Sequence, residues 1–289
     1  IVFVDESHRL ARRKGITSYG SFDEACARLG LDPMVSTQLD MIQKKSKYSV
    51  LVYDGCQTVK AADLTPEQFQ RSLDLRIRTA HRVILQTQMR CEGGRTYVEY
   101  LDSVFQISQK DSLEVENYDF KIWDNPNSMI EDVRNKDLNL SLCRVVAGYS
   151  WRWQSKGCET IEQAVREGLE DIELDGRKYV WNMSNQEWIL REGAVNEIGC
   201  VHTTQGYDLN YVAVIFGYEI DYDDESGSLV IDRSKFFDSK VKDGVDDETL
   251  KQYIINSYKV MMTRGIKGCY VYACNPRLQN YLKRFIAKA

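Results

Sequence analysis

The chain opens on Ile1-Val2-Phe3-Val4, followed at once by Asp5-Glu6. Four β-branched or aromatic residues in a row, with no polar alternation, read as a parallel strand buried on both faces. In open α/β sheets the ligand site lies at the carboxyl ends of the strands, so the two carboxylates stand where chemistry is done. Nucleoside-triphosphate hydrolysis asks for such a pair: Asp5 to hold Mg²⁺ through its water shell and Glu6 to polarise the attacking water. A strand that merely runs into an acidic turn would show the same six residues, which alone do not separate the two readings. No G-x-x-x-x-G-K-[ST] phosphate loop occurs in the 289 residues. A strand of this kind is expected downstream of such a loop, which reads the chain as the C-terminal part of a longer protein.

Composition narrows the class. With 43% hydrophobic and 28% charged residues the chain is globular rather than disordered, and its length accommodates two domains of ordinary size. It contains no apolar run long enough to span a bilayer, so no membrane segment is expected. Residue 1 lies inside an apparent strand rather than a charged leader, so no secretory leader is expected either. The eight cysteines form no C-x-x-C pair, and a chain of this size needs no disulfide framework, which points to reduced thiols and a cytoplasmic location. The net charge of −5 argues against a surface coated in basic residues but leaves room for a local nucleic-acid groove. The three histidines are far apart, without zinc spacing.

Strand and helix patterns alternate along the chain, which implies α/β layers with mostly parallel sheets flanked by helices. Strands are expected at 48–53, 83–86, 118–123, 142–147, 198–202, 212–216 and 269–273. Helices are expected at 22–29, 34–42, from Thr65-Pro66-Glu67, and at 97–105, 128–134, about 246–264 and 281–287. The polar stretch 106–116 is the expected boundary, giving domains 1–110 and 111–289. Residues 149–192 hold four of the five tryptophans among Gly, Asn and charged residues and read as an irregular segment.

Five short stretches fall at the ends of these elements. Besides Asp5-Glu6 there is Asp54-Gly-Cys-Gln57, whose glutamine is placed to orient a water or meet a γ-phosphate. Arg90 ends Leu85-Gln-Thr-Gln-Met-Arg90, and a guanidinium suits a transferring phosphoryl group because its fork of donors meets the equatorial oxygens. Val201-His-Thr-Thr-Gln-Gly-Tyr-Asp208 offers hydroxyls, an amide and a glycine between two strands, a loop able to grip phosphates. Arg264, in Thr263-Arg264-Gly265, sits where an arginine finger or a helix-dipole partner would sit. Taken singly, each also has an ordinary structural reading: a satisfied turn, a surface ion pair, or a glycine at positive φ.

The order of these stretches resembles the motifs of superfamily-one helicases downstream of the phosphate loop. Val4-Asp5-Glu6-Ser7-His8 is similar to the Walker B motif, Asp54-x-x-Gln57 to G-D-x-x-Q with Tyr53 in place of glycine, and Arg90 to the arginine of the next motif. Thr203-Thr-Gln-Gly206 is similar to a shortened T-x-x-x-x-K-G, and Thr263-Arg264 to A-L-T-R-A with Gly265 at the end. Val2 to Leu10, Gln86 to Cys91, Ala147 to Trp153, His202 to Asp208 and Met262 to Gly268 resemble stretches of the bacterial Schlafen-type DNA/RNA helicase-like family, a P-loop group. The resemblance runs from residue 2 to residue 268.

It implies two RecA-like P-loop domains, the first truncated before its Walker B strand, and an ATP-dependent DNA/RNA helicase-like NTPase. ATP and Mg²⁺ are the implied cofactors, with Glu6, Gln57, Arg90 and Arg264 catalytic and Asp5, Gln205 and Gly206 on the nucleotide and its metal. DNA or RNA, single-stranded, is the implied partner. Thr203 and Thr204, with the aromatic faces of Tyr149, Trp151 and Trp153, are the candidate contacts, since base stacking contributes about 1–3 kcal/mol per base. An inter-domain core explains those aromatics equally well. Two alternatives stand beside this reading. One is a nucleotide-sensing regulatory or interaction module, with a protein partner and no unwinding. The other is a nuclease using Asp5, Glu6 and Asp54 to hold two metal ions, which leaves Gln57, Arg90 and Arg264 unexplained.

Overall fold

The computed structural model describes residues 1–74, 81–85, 90–108, 115–183 and 188–289. In chain order the helices are α1 (Tyr19–Leu29), α2 (Gln38–Lys45), α3 (Pro66–Asp74), α4 (Gly94–Phe105), α5 (Pro126–Leu140), α6 (Ile161–Glu167), α7 (Val201–Thr204), α8 (Ser239–Lys242), α9 (Asp247–Met262) and α10 (Pro276–Leu282). The strands are β1 (Val2–Val4), β2 (Ser49–Leu51), β3 (Asp119–Ile122), β4 (Cys143–Ala147), β5 (Ile172–Leu174), β6 (Arg177–Tyr179), β7 (Ile198–Gly199), β8 (Leu209–Phe216), β9 (Ile220–Asp223), β10 (Ser228–Ile231), β11 (Gly265–Ala273) and β12 (Ala287–Lys288). The chain forms two compact units, Ile1–Leu85 with Asp238–Asn256, and Gln86–Phe237 with Ser257–Ala289.

In the first unit β1 and β2 pair in parallel, with Phe3 opposite Val50. Helix α1 starts at the Ser18 cap and stops at Gly30, which takes the left-handed conformation at φ 63°. A reciprocal Thr37–Asp40 capping box starts α2. Phe22, Cys26, Leu39, Val59, Ala61 and Leu64 are buried and form the apolar interior. Residues 238–256 join this unit through long-range polar contacts. Asn256 Nδ2 donates to Thr58 O at 2.9 Å and Arg12 Nη2 to Tyr253 OH at 3.3 Å.

The second unit is built on a six-stranded sheet in the order β12-β3-β11-β8-β4-β7, with every pairing parallel. Residues of β4 are all buried, and β8 is buried from Val212 to Phe216, as expected for a parallel sheet covered on both faces. This is the α/β layering anticipated for a RecA-like domain. Two antiparallel hairpins, β5–β6 and β9–β10, are added to it.

Several elements differ from the expectations. The two compact units meet along the chain at residues 85 and 86, whereas the polar stretch 106–116 was the expected boundary (109–114 lie outside the described residues). Helix α4 lies in the second of these units. Its Tyr97, Tyr100, Leu101, Val104 and Phe105 recur at helical spacing and are all buried, and Tyr100 OH donates to Phe285 O while Tyr281 OH donates to Val104 O, both at 2.6 Å. Of the expected strand 83–86, residues 83–85 take no strand pairing and are exposed, and residue 86 lies outside the described residues. The expected strand 198–202 ends at Gly199 and becomes the single turn α7, because the Thr203 and Thr204 hydroxyls donate back to Cys200 O at 2.8 and 3.1 Å. The tryptophan-rich segment is ordered around the buried Asp171. Its carboxylate accepts from Gln154 N, Ser155 N, Ser155 Oγ and Trp181 N at 2.6 to 2.9 Å.

Candidate functional site

In the first unit the carboxyl ends of β1 and β2 lie side by side, and both carry the expected polar groups. Asp5 is exposed, and its Oδ1 accepts the Glu6 amide at 2.9 Å. Glu6 occupies the left-handed region at φ 52°, ψ 40°. For a residue other than glycine this is uncommon, costs about 1–3 kcal/mol and concentrates at functional sites. Backbone bonds hold it there: Ser7 N donates to Val52 O at 2.7 Å, Arg9 N to Glu6 O at 2.9 Å, and Ser7 Oγ to Val4 O at 3.0 Å. After β2, Asp54 caps a short turn by accepting Cys56 N at 3.0 Å and Gln57 Nε2 at 2.9 Å. Asp5, Glu6, Asp54 and Gln57 are thus gathered at one end of a two-stranded parallel sheet.

Sequence reasoning passed over His8 as a site residue. It is 1% exposed, and its Nε2 lies 3.1 Å from Glu6 Oε2. Burial pulls the imidazole below its ordinary pKa, against the upward pull of Glu6, Asp54 and Asp63. The one signal in the sequence was a lone histidine two places after the acid pair.

In the second unit the groups collect at the amino ends of β8 and β11. Arg90 forms an ion pair with Asp208, the last residue before β8. Leu209 N donates to Arg264 O at 2.9 Å and Glu92 N to Ile266 O at 2.8 Å, so the segments carrying Arg90, Asp208 and Arg264 are stitched together. Arg264 is 1% exposed and its Nε donates to Val260 O at 3.1 Å. Gly206 has φ +93° with open space around an added Cβ, so the turn asks for glycine by backbone conformation alone. Gln205 is buried beside it. Asp208 was not singled out from the sequence. The rest of the stretch before Arg90, residues 86–89, lies outside the described residues.

A metal at Asp5 is compatible with these donors. Magnesium is commonly held by one or two carboxylates, with water and substrate phosphates completing its shell, and an exposed aspartate at a strand end is such a group. Among the described residues no cluster of three or more His, Cys, Asp or Glu side chains is arranged to hold a metal ion. No disulfide joins any of the eight cysteines. No helix among the described residues is long and apolar enough to cross a membrane.

A family model described as Schlafen group 3, DNA/RNA helicase domain, matches residues 1–275. The chain belongs to that family. The uncharacterized protein YPL245W of Saccharomyces cerevisiae is 28% identical over 316 residues, covering 98% of this chain and 64% of that protein. The chain therefore spans less than two thirds of the length of this curated relative.

In this Schlafen group 3 chain the candidate nucleic-acid residues are placed as follows. Tyr149 is half-buried, edge-on to Trp181 at 4.8 Å, with its hydroxyl 3.2 Å from Cys200 Sγ, which is a core role. Trp151 stands 6.3 Å from Tyr218 and lines a cavity of about 490 Å³ with Glu170, Asp171, Glu173, Asp175 and Lys178, a predominantly acidic setting. Trp153 lies 5.6 Å from Lys156 Nζ. Thr203 and Thr204 are buried, with their hydroxyls engaged inside α7.

Proposed function

We propose that this chain is the hydrolytic part of an ATP-dependent DNA/RNA helicase-like NTPase that acts on single-stranded nucleic acid. The observation that carries the reading is the pair Asp5-Glu6 at the carboxyl end of β1, with Glu6 held in the left-handed region beside Asp54 and Gln57. Asp5 is the group for the metal, which when bound neutralises charge on the phosphates. Glu6 takes the proton of the attacking water, and Gln57 orients that water. Arg90 and Arg264 compensate charge on the transferring phosphoryl group, and Gln205 with Gly206 lies on the nucleotide. Membership of a helicase-domain family and the gathering of each set of residues within its unit support this assignment.

A phosphate loop belongs to a longer protein on this reading. Exposed apolar side chains on both strands of the first unit support it, because a two-stranded parallel sheet is marginal without covering layers. The test is phosphate release by the longer protein and by this chain, with and without single-stranded oligonucleotide. The longer protein is expected to hydrolyse ATP, faster with oligonucleotide, and the chain alone to be nearly inert. Robust hydrolysis by the isolated chain would sink the division of labour.

A further inference from the structure

We propose that His8 is a positioning residue for Glu6: its buried imidazole holds one carboxylate oxygen and leaves the other to the water. The inference rests on the hydrolytic reading above and assigns that site a residue it does not use. Glu6 Oε2 is buried while the side chain as a whole is 36% exposed, so the two oxygens have different surroundings. Oε2 is the one within 3.1 Å of His8 Nε2.

His8 has no other task among the described residues. Nδ1 has no hydrogen-bond partner, and Nε2 has no polar neighbour but Glu6 Oε2, an ion-pair contact at 3.1 Å that is not yet aligned as a hydrogen bond, although a buried polar group left unpaired costs about 1–3 kcal/mol. A phenylalanine would fill the same space beside Tyr53, whose ring lies edge-on at 6.4 Å, without that penalty. The imidazole is also firmly placed, because His8 O accepts Leu64 N at 3.0 Å and Ser7 is tied to both strands. The left-handed backbone at Glu6 immediately precedes the turn Ser7–Arg9 that carries the imidazole.

With Nε2 protonated, a small rotation of the Glu6 carboxyl turns the 3.1 Å contact into a hydrogen bond from His8 to Oε2 that orients the carboxyl plane. As the water oxygen bonds to phosphorus and the bond to the leaving phosphate oxygen breaks, the water's proton passes to Oε1. His8 keeps its proton throughout, so it acts through Glu6 and touches no reacting atom.

Two measurements test this. The chain has three histidines, His8, His81 and His202, so their imidazole nitrogen resonances are assignable by substitution. Glu6→Gln in this chain is expected to move the His8 Nε2 resonance and leave those of His81 and His202 in place. In the longer protein, His8→Phe is expected to lower kcat about 10–100-fold, the size typical of an outer-shell partner, with nucleotide Kd changed less than about 3-fold. His8→Gln, whose amide nitrogen reaches the Nε2 position, is expected to recover most of the rate. An unmoved His8 resonance overturns the proposal, as does a folded His8→Phe protein that turns over like wild type. Should His8→Phe not fold, the resonance and the His8→Gln rate decide. A moved resonance in a protein that never hydrolyses ATP leaves the pairing standing and removes the hydrolytic reading instead.

Discussion

In the first unit Val2, Phe3, Val50 and Val52 are 38%, 66%, 50% and 41% exposed, whereas in the second every residue of β4 is buried. Both units pair strands in parallel, yet only the second covers them. The difference separates two ways of fixing a functional group. Arg264 sits at the mouth of β11 and is held by a packed core. Glu6 sits on a thin sheet and is held by a local ring of hydrogen bonds, with its backbone in a conformation that side chains resist. A group fixed by bonds rather than by bulk is adjusted easily, and exposed strands leave room for further layers.

The largest expected effect concerns Glu6. In the longer protein Glu6→Gln should lower turnover by about 10²–10⁴-fold, because the amide is nearly isosteric but accepts no proton at pH 7. Nucleotide affinity should stay within about 3-fold. Phosphate release and equilibrium binding check this, and a variant as fast as wild type would take the catalytic role away from β1.

Core substitutions then test the contrast between the sheets. Ile215 in β8 is fully buried, and Ile215→Ala should destabilise this chain by about 2–5 kcal/mol. Val50→Ala in β2 should change stability by no more than about 0.5 kcal/mol. Denaturant unfolding of both variants gives the comparison. Equal losses would mean that β2 is as well covered in solution as β8.

The elements read most clearly from sequence are those whose periodicity is set by burial. Leu142 to Ala147 and Val212 to Phe216 are continuous apolar runs and appear as β4 and β8, and the long pattern from Asp246 appears as α9. The acid pair, Asp54 and Gln57 were legible because they follow apolar runs that end abruptly. What stayed hidden depends on contacts far apart in sequence. Asn256 reaches Thr58 across 198 residues, and that assigns residues 238–256 to the first unit. Arg90 meets Asp208 only through the sheet that brings their segments together. Residues 198–202 misled because β propensity there yields to two threonine hydroxyls bonded back onto Cys200.

Arg90 tests the second unit's arrangement at moderate size. Both members of its ion pair are partly exposed, so the pair itself contributes little to stability, about 0–1 kcal/mol. Asp208→Asn should therefore leave the unfolding midpoint nearly unchanged. Arg90→Ala in the longer protein should slow turnover about tenfold or more, since a charge-compensating donor is lost. A large stability loss with unchanged turnover would recast the pair as structural.

Two glycines, one in each unit, give small effects of opposite sign; each has nothing within 4 Å of an added Cβ. Only backbone conformation distinguishes them. Gly206 lies at φ +93°, where an L side chain costs about 1–2 kcal/mol, so Gly206→Ala should destabilise by roughly that amount. Gly20 lies in the first turn of α1 with no positive φ. There alanine lowers the entropy of the unfolded chain and fits the helix, so Gly20→Ala should stabilise by about 0.4–1 kcal/mol. Urea unfolding of the two single variants and the double variant checks both signs. The two effects should add, because the sites share no partner. A Gly206→Ala protein as stable as wild type would show that the loop before β8 relaxes out of its left-handed turn, and that Asp208 is not held where it meets Arg90.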